Sequence, residues 1–197
     1  MKKESYTRLK GFRDILPEDS VYWSYALSIM ENLVQSSGFE KIDIPLLEKI
    51  NLYVRGVGED TDIVTKEMYY FDTSKLGGKD RKREREESLV ALRPEFTAGI
   101  VRSYLENGMQ TWTKPISLYT YGKCYRHENP QSGRYREFSQ FDVEIFGEED
   151  PAIDAHVISL LYEIFKKLQI KDVEVHINSI GCSECRGKIK KMQTEFF

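Results

Sequence analysis

YGKCYRHENPQSGRYREFSQFDVEIFG, residues 121–147, is the stretch that decides the fold of this 197-residue chain. Aromatic residues alternate along residues 121–125, and a second alternation runs from residue 138 to residue 146, which is typical of β-strands. Between them lies Asn129-Pro130-Gln131-Ser132-Gly133, a sequence rich in turn formers. The stretch therefore predicts two antiparallel strands joined by a loop.

The second of these strands has an unusually polar face. Its alternation places five residues on one side, namely Phe138, Gln140, Asp142, Glu144 and Phe146. The turn is flanked by four charged residues, Arg126, Glu128, Arg134 and Arg136. Arginines that bind phosphate, an aromatic plane for a base and a nearby carboxylate together favour a nucleotide site. A charged surface hairpin explains the same pattern.

The composition is that of an ordinary globular protein with a substantial core, because 40% of the residues are hydrophobic and 12% are aromatic. The net charge is only −3, so contact with a nucleic acid would need a local basic patch. No stretch approaches the length of a membrane span, and three cysteines do not make a disulfide framework. We expect a cytoplasmic protein without a membrane segment.

The first third of the chain predicts a helix and an interrupted strand. Pro17 is suited to open a helix that ends near Ser36, with its core face listed here: Tyr22, Tyr25, Ala26, Ile29 and Leu33. A strand through Ile42 and Ile44 is then interrupted by Pro45 and continued by Leu46-Leu47. A proline at this place indicates a sheet edge in contact with another chain, or a simple exit from strand to loop.

The middle of the chain predicts short strands separated by loops. Residues 56–60 are expected to form a flexible loop, and residues 66–71 a strand. Residues 73–88 carry both charge signs, which favours a solvated hairpin tip or a disordered loop over a nucleic-acid patch. A strand is expected over residues 89–92.

A helix is expected to follow, ending near Asn107-Gly108. Glu95 and Thr97 then lie at its N-terminus, where either could be a plain cap or the pair could bind an ammonium group.

The last part of the chain predicts a helix, a strand and another helix. The first helix starts at Asp150-Pro151 and runs to about residue 168, with its core face listed here: Ile153, Val157, Leu160, Leu161, Ile164 and Phe165. Residues 173–177 alternate like a strand, and residues 181–197 resemble a helix. This order of elements predicts the α+β class, an antiparallel sheet with helices packed on it.

One pair of cysteines, Cys182 and Cys185, has the spacing of metal ligands, with Cys124 and His176 as conceivable partners. A single pair at this spacing is a weak signal, so we expect no metal site. A redox pair of cysteines has no better support, and none of the three histidines, including His127 beside Arg126, resembles a general base.

At this level of detail the sequence resembles the histidyl-tRNA synthetases, which are class II aminoacyl-tRNA synthetases. GFEKIDIPLLE resembles the end of motif 1, about residues 28–48, and residues 121–147 resemble motif 2. TKEMYYF and LRPEFTAGIVR are similar to the histidine-specific segments between them. The matches occur in the family's order and cover nearly all of residues 1–197, as the N-terminal part of the catalytic domain.

The resemblance implies a binding site for ATP and its Mg²⁺. Arg126 would hold the α-phosphate and act in catalysis, and Arg134 would reach the γ-phosphate. Glu128 would bind the adenine amino group, and Phe138 would stack on the adenine ring. Apart from the Mg²⁺ that accompanies ATP, no tightly bound metal is implied.

The resemblance also implies a histidine site, formed by Glu95, Phe96, Thr97, Arg126, Gln140 and Glu144. Glu95, Thr97 and Gln140 would bind the α-ammonium group, and Glu144 would accept a hydrogen bond from the imidazole. Gln131 and Arg136 would contact the acceptor end of the tRNA. The family often has an arginine where this chain has Asn129.

The implied activity is that of a histidine–tRNA ligase, which forms histidyl-adenylate from ATP and histidine and transfers histidine to tRNA(His). The resemblance further implies a homodimer through motif 1. Motif 3 and the anticodon-binding domain are not in this sequence, so we expect a truncated catalytic domain with little activity alone. One alternative is a paralogue, the histidine-binding regulatory subunit of ATP phosphoribosyltransferase; another is a structural, dimerising subunit.

Overall fold

The computed structural model describes residues 6–58, 61–75, 88–178 and 192, and in them two small sheets pack against helices. The helices are α1 (Pro17–Ser36), α2 (Ile50–Val57), α3 (Thr97–Glu106) and α4 (Pro151–Lys167). The strands are β1 (Glu40–Lys41), β2 (Leu47–Lys49), β3 (Tyr70–Asp72), β4 (Leu89–Leu92), β5 (Ile116–Tyr125) and β6 (Glu137–Phe146). The predicted α+β class is confirmed.

The first sheet contains the predicted hairpin and has the strand order β1-β5-β6. β5 and β6 pair antiparallel over ten residues each, from Ile116 opposite Phe146 to Tyr125 opposite Glu137. β5 begins five residues earlier than its aromatic alternation suggested. β1 runs parallel to β5, so the sheet is mixed rather than purely antiparallel.

The second sheet is antiparallel, with the order β2-β4-β3. Its central strand, β4, is the one expected over residues 89–92. The residue after it, Arg93, connects the two sheets: its backbone N–H donates to the Leu46 carbonyl at 3.0 Å, and its carbonyl accepts from the Tyr125 N–H at 3.0 Å. The segment that leads into α3 is thereby fixed against the end of β5.

The prediction of a strand through Ile42 and Ile44 is wrong. β1 covers only Glu40 and Lys41, although the Ile42 N–H still donates to the Tyr119 carbonyl at 2.9 Å. The chain then leaves this sheet, because Pro45 has no N–H with which to continue a ladder. Ile44 is buried in the core all the same.

Two predictions for the middle of the chain are corrected. Gly56 and Val57 belong to α2 rather than to a loop. Residues 66–71 are not one strand, because Ile63–Glu67 is a π-helical turn and β3 covers only Tyr70–Asp72. Local bonds stabilise the turn: the Thr65 hydroxyl donates to the Thr61 carbonyl at 2.9 Å, and Lys66 pairs with Asp62 at 2.8 Å.

The bounds of α1 and α4 agree with the prediction, but parts of their expected core faces do not. Tyr22 and Tyr25 are 72% and 57% exposed, and Leu161 is 52% exposed. The strand expected over residues 173–177 is also wrong, because those residues have no regular secondary structure. Most of the charged segment 73–88, the helix expected over residues 181–197, and the pair Cys182 and Cys185 lie outside the described residues.

The main core lies between α3 and the first sheet, with Phe96 and Ile100 fully buried. Burial of such apolar side chains is the chief source of stability. Two contacts show how closely α3 packs. An added Cβ on Gly56 would lie 2.9 Å from the Ala98 Cβ, and one on Gly99 would overlap the Ile44 side chain.

None of the helices in the described part of the chain combines the length and the apolar character that crossing a membrane requires.

Candidate active site

The polar face of β6 carries the first group of candidate site residues. Gln140, Asp142 and Glu144 alternate along the strand, so their side chains share one face. Their partners across the sheet are Gly122, Thr120 and Leu118. The predicted placement of Gln140 and Glu144 on one face is thus confirmed by the register.

The N-terminus of α3 meets this face. Glu95 Oε1 accepts a hydrogen bond from the Ala98 N–H at 3.0 Å, so Glu95 caps the helix. The Thr97 side chain lies close enough to the Glu144 carboxylate, and the Phe96 backbone N–H close enough to Asp142, to lessen the rise in pKa that burial causes in each acid. The helix end therefore lies against the strand. Glu95, Thr97 and Glu144 are therefore brought together, as the sequence predicted.

Phe96 has a different position from its neighbours. Its side chain is fully buried in the core, beneath the Arg93 guanidinium at 4.4 Å from the ring centroid. Only its backbone approaches the polar face, where its N–H lies near Asp142. Phe96 supports the face from below.

The carboxylates of the face lie in a poorly solvated environment. Burial raises the pKa of Asp142, and the hydrogen bond from Gln140 opposes that shift. Burial likewise raises the pKa of Glu144, opposed by the nearby Thr97 side chain. Glu95 and Asp142 add like charge that raises the Glu144 pKa further. A cation placed among these three groups would be stabilised.

The other end of the hairpin carries the candidate phosphate ligands. Arg126 Nε donates to the Pro94 carbonyl at 3.0 Å, and its guanidinium lies 5.1 Å from the centre of the Phe138 ring. The Arg126 N–H donates to the Arg136 carbonyl at 2.9 Å and closes the base of the loop. Arg126 and Phe138 are therefore in contact at the end of the polar face.

Glu128 and Arg134 form an ion pair in this loop. Arg134 Nε lies 2.9 Å from Glu128 Oε2, with an angle unsuited to a hydrogen bond. Oε2 is buried and has no hydrogen-bond donor among the described residues. The Arg134 side chain is 61% exposed, whereas that of Glu128 is 14% exposed. Glu128 is thus the fixed partner, and Arg134 is accessible to a ligand.

The two residues expected at the tRNA end differ in exposure. Gln131 lies on the exposed turn, bridged to Arg134 by backbone hydrogen bonds of 3.0 and 3.2 Å. Arg136 is half-buried, and its Nε donates to the Glu128 carbonyl at 3.1 Å. Its backbone N–H donates to the Gly11 carbonyl at 2.7 Å. Arg136 therefore also supports the loop.

Sequence reasoning missed two residues of this region. Asp142 was placed on the polar face but given no role, and no residue-type rule distinguishes it from a solvated aspartate. Arg93 connects three segments, because Nε donates to the Lys123 carbonyl and Nη1 to the Ile44 carbonyl, both at 2.9 Å. An arginine before a proline gives no signal for such a role.

Two buried acceptors without an aligned hydrogen-bond donor among the described residues lie in this region. Four buried side-chain polar atoms have no hydrogen-bond partner within the described ranges, and two of them are Glu128 Oε2 and Gln140 Oε1. Both are acceptors in the hairpin, one at each end of the region described above. An unsatisfied buried acceptor costs about 1–3 kcal/mol, so Gln140 Oε1 is suited to a ligand that brings a donor. Glu128 Oε2 already faces the Arg134 guanidinium and becomes available when that exposed side chain moves away.

Metal and thiol chemistry have little support within residues 6–58, 61–75 and 88–178. No group of three or more potential ligands is placed there to hold a metal. Cys124 is fully buried, and burial raises the pKa of its thiol to about 12. The thiol is therefore protonated at neutral pH when nothing is bound to it.

A family model for histidyl-tRNA synthetase matches residues 11–184 of this chain. The chain belongs to the histidyl-tRNA synthetase family. A histidine–tRNA ligase of Desulforamulus reducens is 40% identical over 191 residues, covering 97% of this chain and 43% of the relative. One of Desulforapulum autotrophicum is 44% identical over 188 residues, covering 95% of this chain and 42% of the relative. The chain spans about two fifths of these relatives' length.

Solved structures agree with this family. The apo histidyl-tRNA synthetase of S. aureus superposes with a TM-score of 0.73 at 31% identity, covering 95% of this chain and 41% of that protein. A Bacillus halodurans protein, described as an ATP phosphoribosyltransferase regulatory subunit/histidyl-tRNA synthetase, reaches 0.68 at 23% identity, which shows the fold alone. The resemblance and the class II catalytic-core fold predicted from the sequence are confirmed.

Proposed function

We propose that this chain acts in the histidine–tRNA ligase reaction. The carboxylate of histidine attacks the α-phosphorus of ATP, bound with its Mg²⁺, and histidyl-adenylate and pyrophosphate form. Histidine is then transferred to tRNA(His). Such a displacement depends mainly on positioning two anions and offsetting the charge that develops between them.

The observation that carries this proposal is the pair of buried acceptors in the hairpin. Gln140 Oε1 accepts no hydrogen bond from the described residues, and Glu128 Oε2 has the Arg134 ion pair at 2.9 Å but no aligned hydrogen-bond donor there. The reaction has two ligands with suitable donors, the amino group of adenine and the α-ammonium of histidine. Family membership supports the assignment of adenine to Glu128 and of histidine to Gln140.

In the proposed amino-acid subsite, Glu144 accepts a hydrogen bond from the imidazole ring. Glu95, Phe96 and Thr97 lie beside it at the start of α3, and Glu95 and Thr97 bind the α-ammonium together with Gln140. Glu95 uses one carboxylate oxygen as a helix cap, and its second oxygen can accept from the ligand. A buried carboxylate rejects substrates that bring no donor, because its charge would remain unpaired.

In the proposed ATP subsite, Arg126 binds the α-phosphate at the point where the histidine carboxylate approaches. It is therefore the catalytic residue that this chain supplies, in contact with both substrates. Phe138 stacks on adenine. Arg134 moves from Glu128 to the γ-phosphate, which its exposure permits. Gln131 and Arg136 are the proposed contacts for the acceptor end of tRNA.

Calorimetric titration of the whole chain with MgATP and with histidine tests the proposal. We expect both ligands to bind, with alanine and lysine failing to replace histidine. Asp154→Asn, on the exposed start of α4, is a control that should change neither affinity. Histidine binding without ATP binding would support the regulatory-subunit alternative instead, which has no need for Arg126 and Arg134. Binding of neither ligand would leave only a structural role.

We also propose a cytoplasmic homodimer formed through residues 28–48. Leu46 and Leu47 support the interface, because they are 40% and 44% exposed. Replacing both with glutamate should give monomers in sedimentation, whereas Leu105→Glu, at an exposed leucine of α3, should not. A wild-type monomer at tens of micromolar, a rough choice for an interface of ordinary size, would contradict the proposal.

A further inference from the structure

The side-chain amide of Gln140 has a defined orientation. Its Nε2 donates to Asp142 Oδ2 at 3.0 Å, from two residues away on the same face of β6. Its Oε1 is buried and accepts no hydrogen bond from the described residues. The amide therefore has its donor side satisfied within the protein and its acceptor side free.

Asp142 is the reason for this orientation. An ionised carboxylate only accepts hydrogen bonds, so it can pair with the NH₂ of an amide but not with its oxygen. Turning the Gln140 amide over would place oxygen against oxygen. Asp142 itself lies beside the start of α3, where the Phe96 backbone N–H is close enough to lessen the rise in pKa that burial causes in its carboxyl. The start of α3 therefore helps to place Asp142, and Asp142 sets the orientation of the Gln140 amide.

The free oxygen lies in acidic surroundings, with Glu95 and Glu144 as neighbours of Asp142. The group that complements it is a positively charged donor. If the amide were reversed, its NH₂ would face that cation and repel it.

We propose that Asp142 is a positioning residue for substrate recognition: it orients Gln140 so that the amide oxygen accepts from the α-ammonium of the amino-acid substrate. The inference rests on the proposed function and deepens its amino-acid subsite. Asp142 makes no contact with the substrate in this role, and Gln140 does.

The test compares histidine with 3-(imidazol-4-yl)propionate, which is the same molecule without its α-amino group. Asp142→Asn keeps the shape of the side chain but allows either amide orientation. We expect its calorimetric affinity for histidine to fall about ten- to a hundredfold, with the affinity for imidazolylpropionate unchanged. Equal losses for both ligands, or no loss for histidine, would overturn the inference.

A double-mutant cycle separates orientation from simple charge. Gln140→Met removes the amide at nearly constant volume and should lower the affinity for histidine by a similar factor. If Asp142 acts through Gln140, adding Asp142→Asn to that variant should cost nothing more. An additional full loss would mean that the Asp142 charge acts directly on the substrate, which contradicts a positioning role.

A measurement without ligand distinguishes failure of this inference from failure of the proposed function. In ¹⁵N NMR, the side-chain NH₂ of Gln140, assigned by its loss in Gln140→Met, should be protected from solvent exchange and lose that protection in Asp142→Ala. Equal exchange in both proteins overturns the orientation. A protected Gln140 NH₂ in a chain that binds no histidine would show that the amide orientation is correct but the proposed function is wrong. The role of Asp142 in substrate recognition would then be overturned as well.

Discussion

The two ends of the β5–β6 hairpin are built in different ways. At the acidic end, Asp142 and Glu144 are half-buried against the α3 terminus, and Asp142 accepts a hydrogen bond from Gln140 at 3.0 Å. At the arginine end, Arg134 contacts Glu128 through an ion pair on a largely exposed side chain. Under the proposed function, the acidic end would select a small rigid ligand and the arginine end would adjust to a flexible triphosphate. One hairpin would then combine strict selection with adaptable binding.

The largest expected effect comes from the support that both ends share. Phe96→Ala removes a fully buried ring below the polar face and should lower the free energy of unfolding by about 3–5 kcal/mol. Urea denaturation followed by circular dichroism measures it. Both subsites should weaken together. Loss at one end with normal stability would show that Phe96 is not a shared support.

At the acidic end, Glu144→Gln should lower histidine affinity about ten- to a hundredfold, because a charged hydrogen bond in a poorly solvated site is worth about 1.5–3 kcal/mol. MgATP affinity should stay the same. Calorimetry with each ligand separately measures both values. An equal loss of the two ligands would mean that the acidic end is not an independent subsite.

The stability of the Glu144→Gln variant provides a control for its loss of affinity. Burial raises the pKa of Glu144 above its ordinary value of 4.5, so the folded chain holds this proton more readily than the unfolded chain. The free energy of unfolding therefore falls as pH rises from that value through the raised pKa. Glu144→Gln removes this loss and should be at least as stable as wild type at neutral pH. A clearly less stable variant would contradict the preformed, poorly solvated site.

At the arginine end, Arg126→Ala should weaken MgATP about ten- to a hundredfold, since it removes a charged contact to phosphate. Arg126→Lys keeps the positive charge but lacks the planar guanidinium that can donate two parallel hydrogen bonds, so it should recover only part of that affinity. Calorimetric titration of wild type and variant with ATP and with AMP shows whether the lost affinity comes from the α-phosphate, which both ligands carry. Unchanged ATP affinity would remove Arg126 from the site.

The smallest expected effect concerns the exposed ion pair. Arg134→Gln should change the free energy of unfolding by less than about 1 kcal/mol, because exposed pairs contribute little. Thermal denaturation checks this value. A larger loss would mean that the arginine end is as rigid as the acidic end, and the comparison between them would fail.

Features of this fold that depend on residues close together in the sequence were predicted better than features that depend on distant residues. The hairpin was predicted well because strand alternation and turn residues are local, and the resemblance placed Glu95, Thr97, Gln140 and Glu144 in one subsite. Whether a strand forms at residues 42–44 or 173–177 depends on a partner strand, which local pattern does not contain. Asp142 was overlooked for a related reason. Its role depends on the Phe96 N–H and the Gln140 amide, which only the fold brings together.

The close packing of α3 has a consequence for how this protein can change by mutation. Gly56 and Gly99 leave no room for even a methyl group against Ala98 and Ile44. A side chain at either position would require α3 or Ile44 to shift, and Thr97 lies in the first turn of α3, two residues after Glu95. Under the proposed function, variation at these glycines is therefore expected to alter amino-acid selection as well as stability. A screen for altered substrate preference should include them.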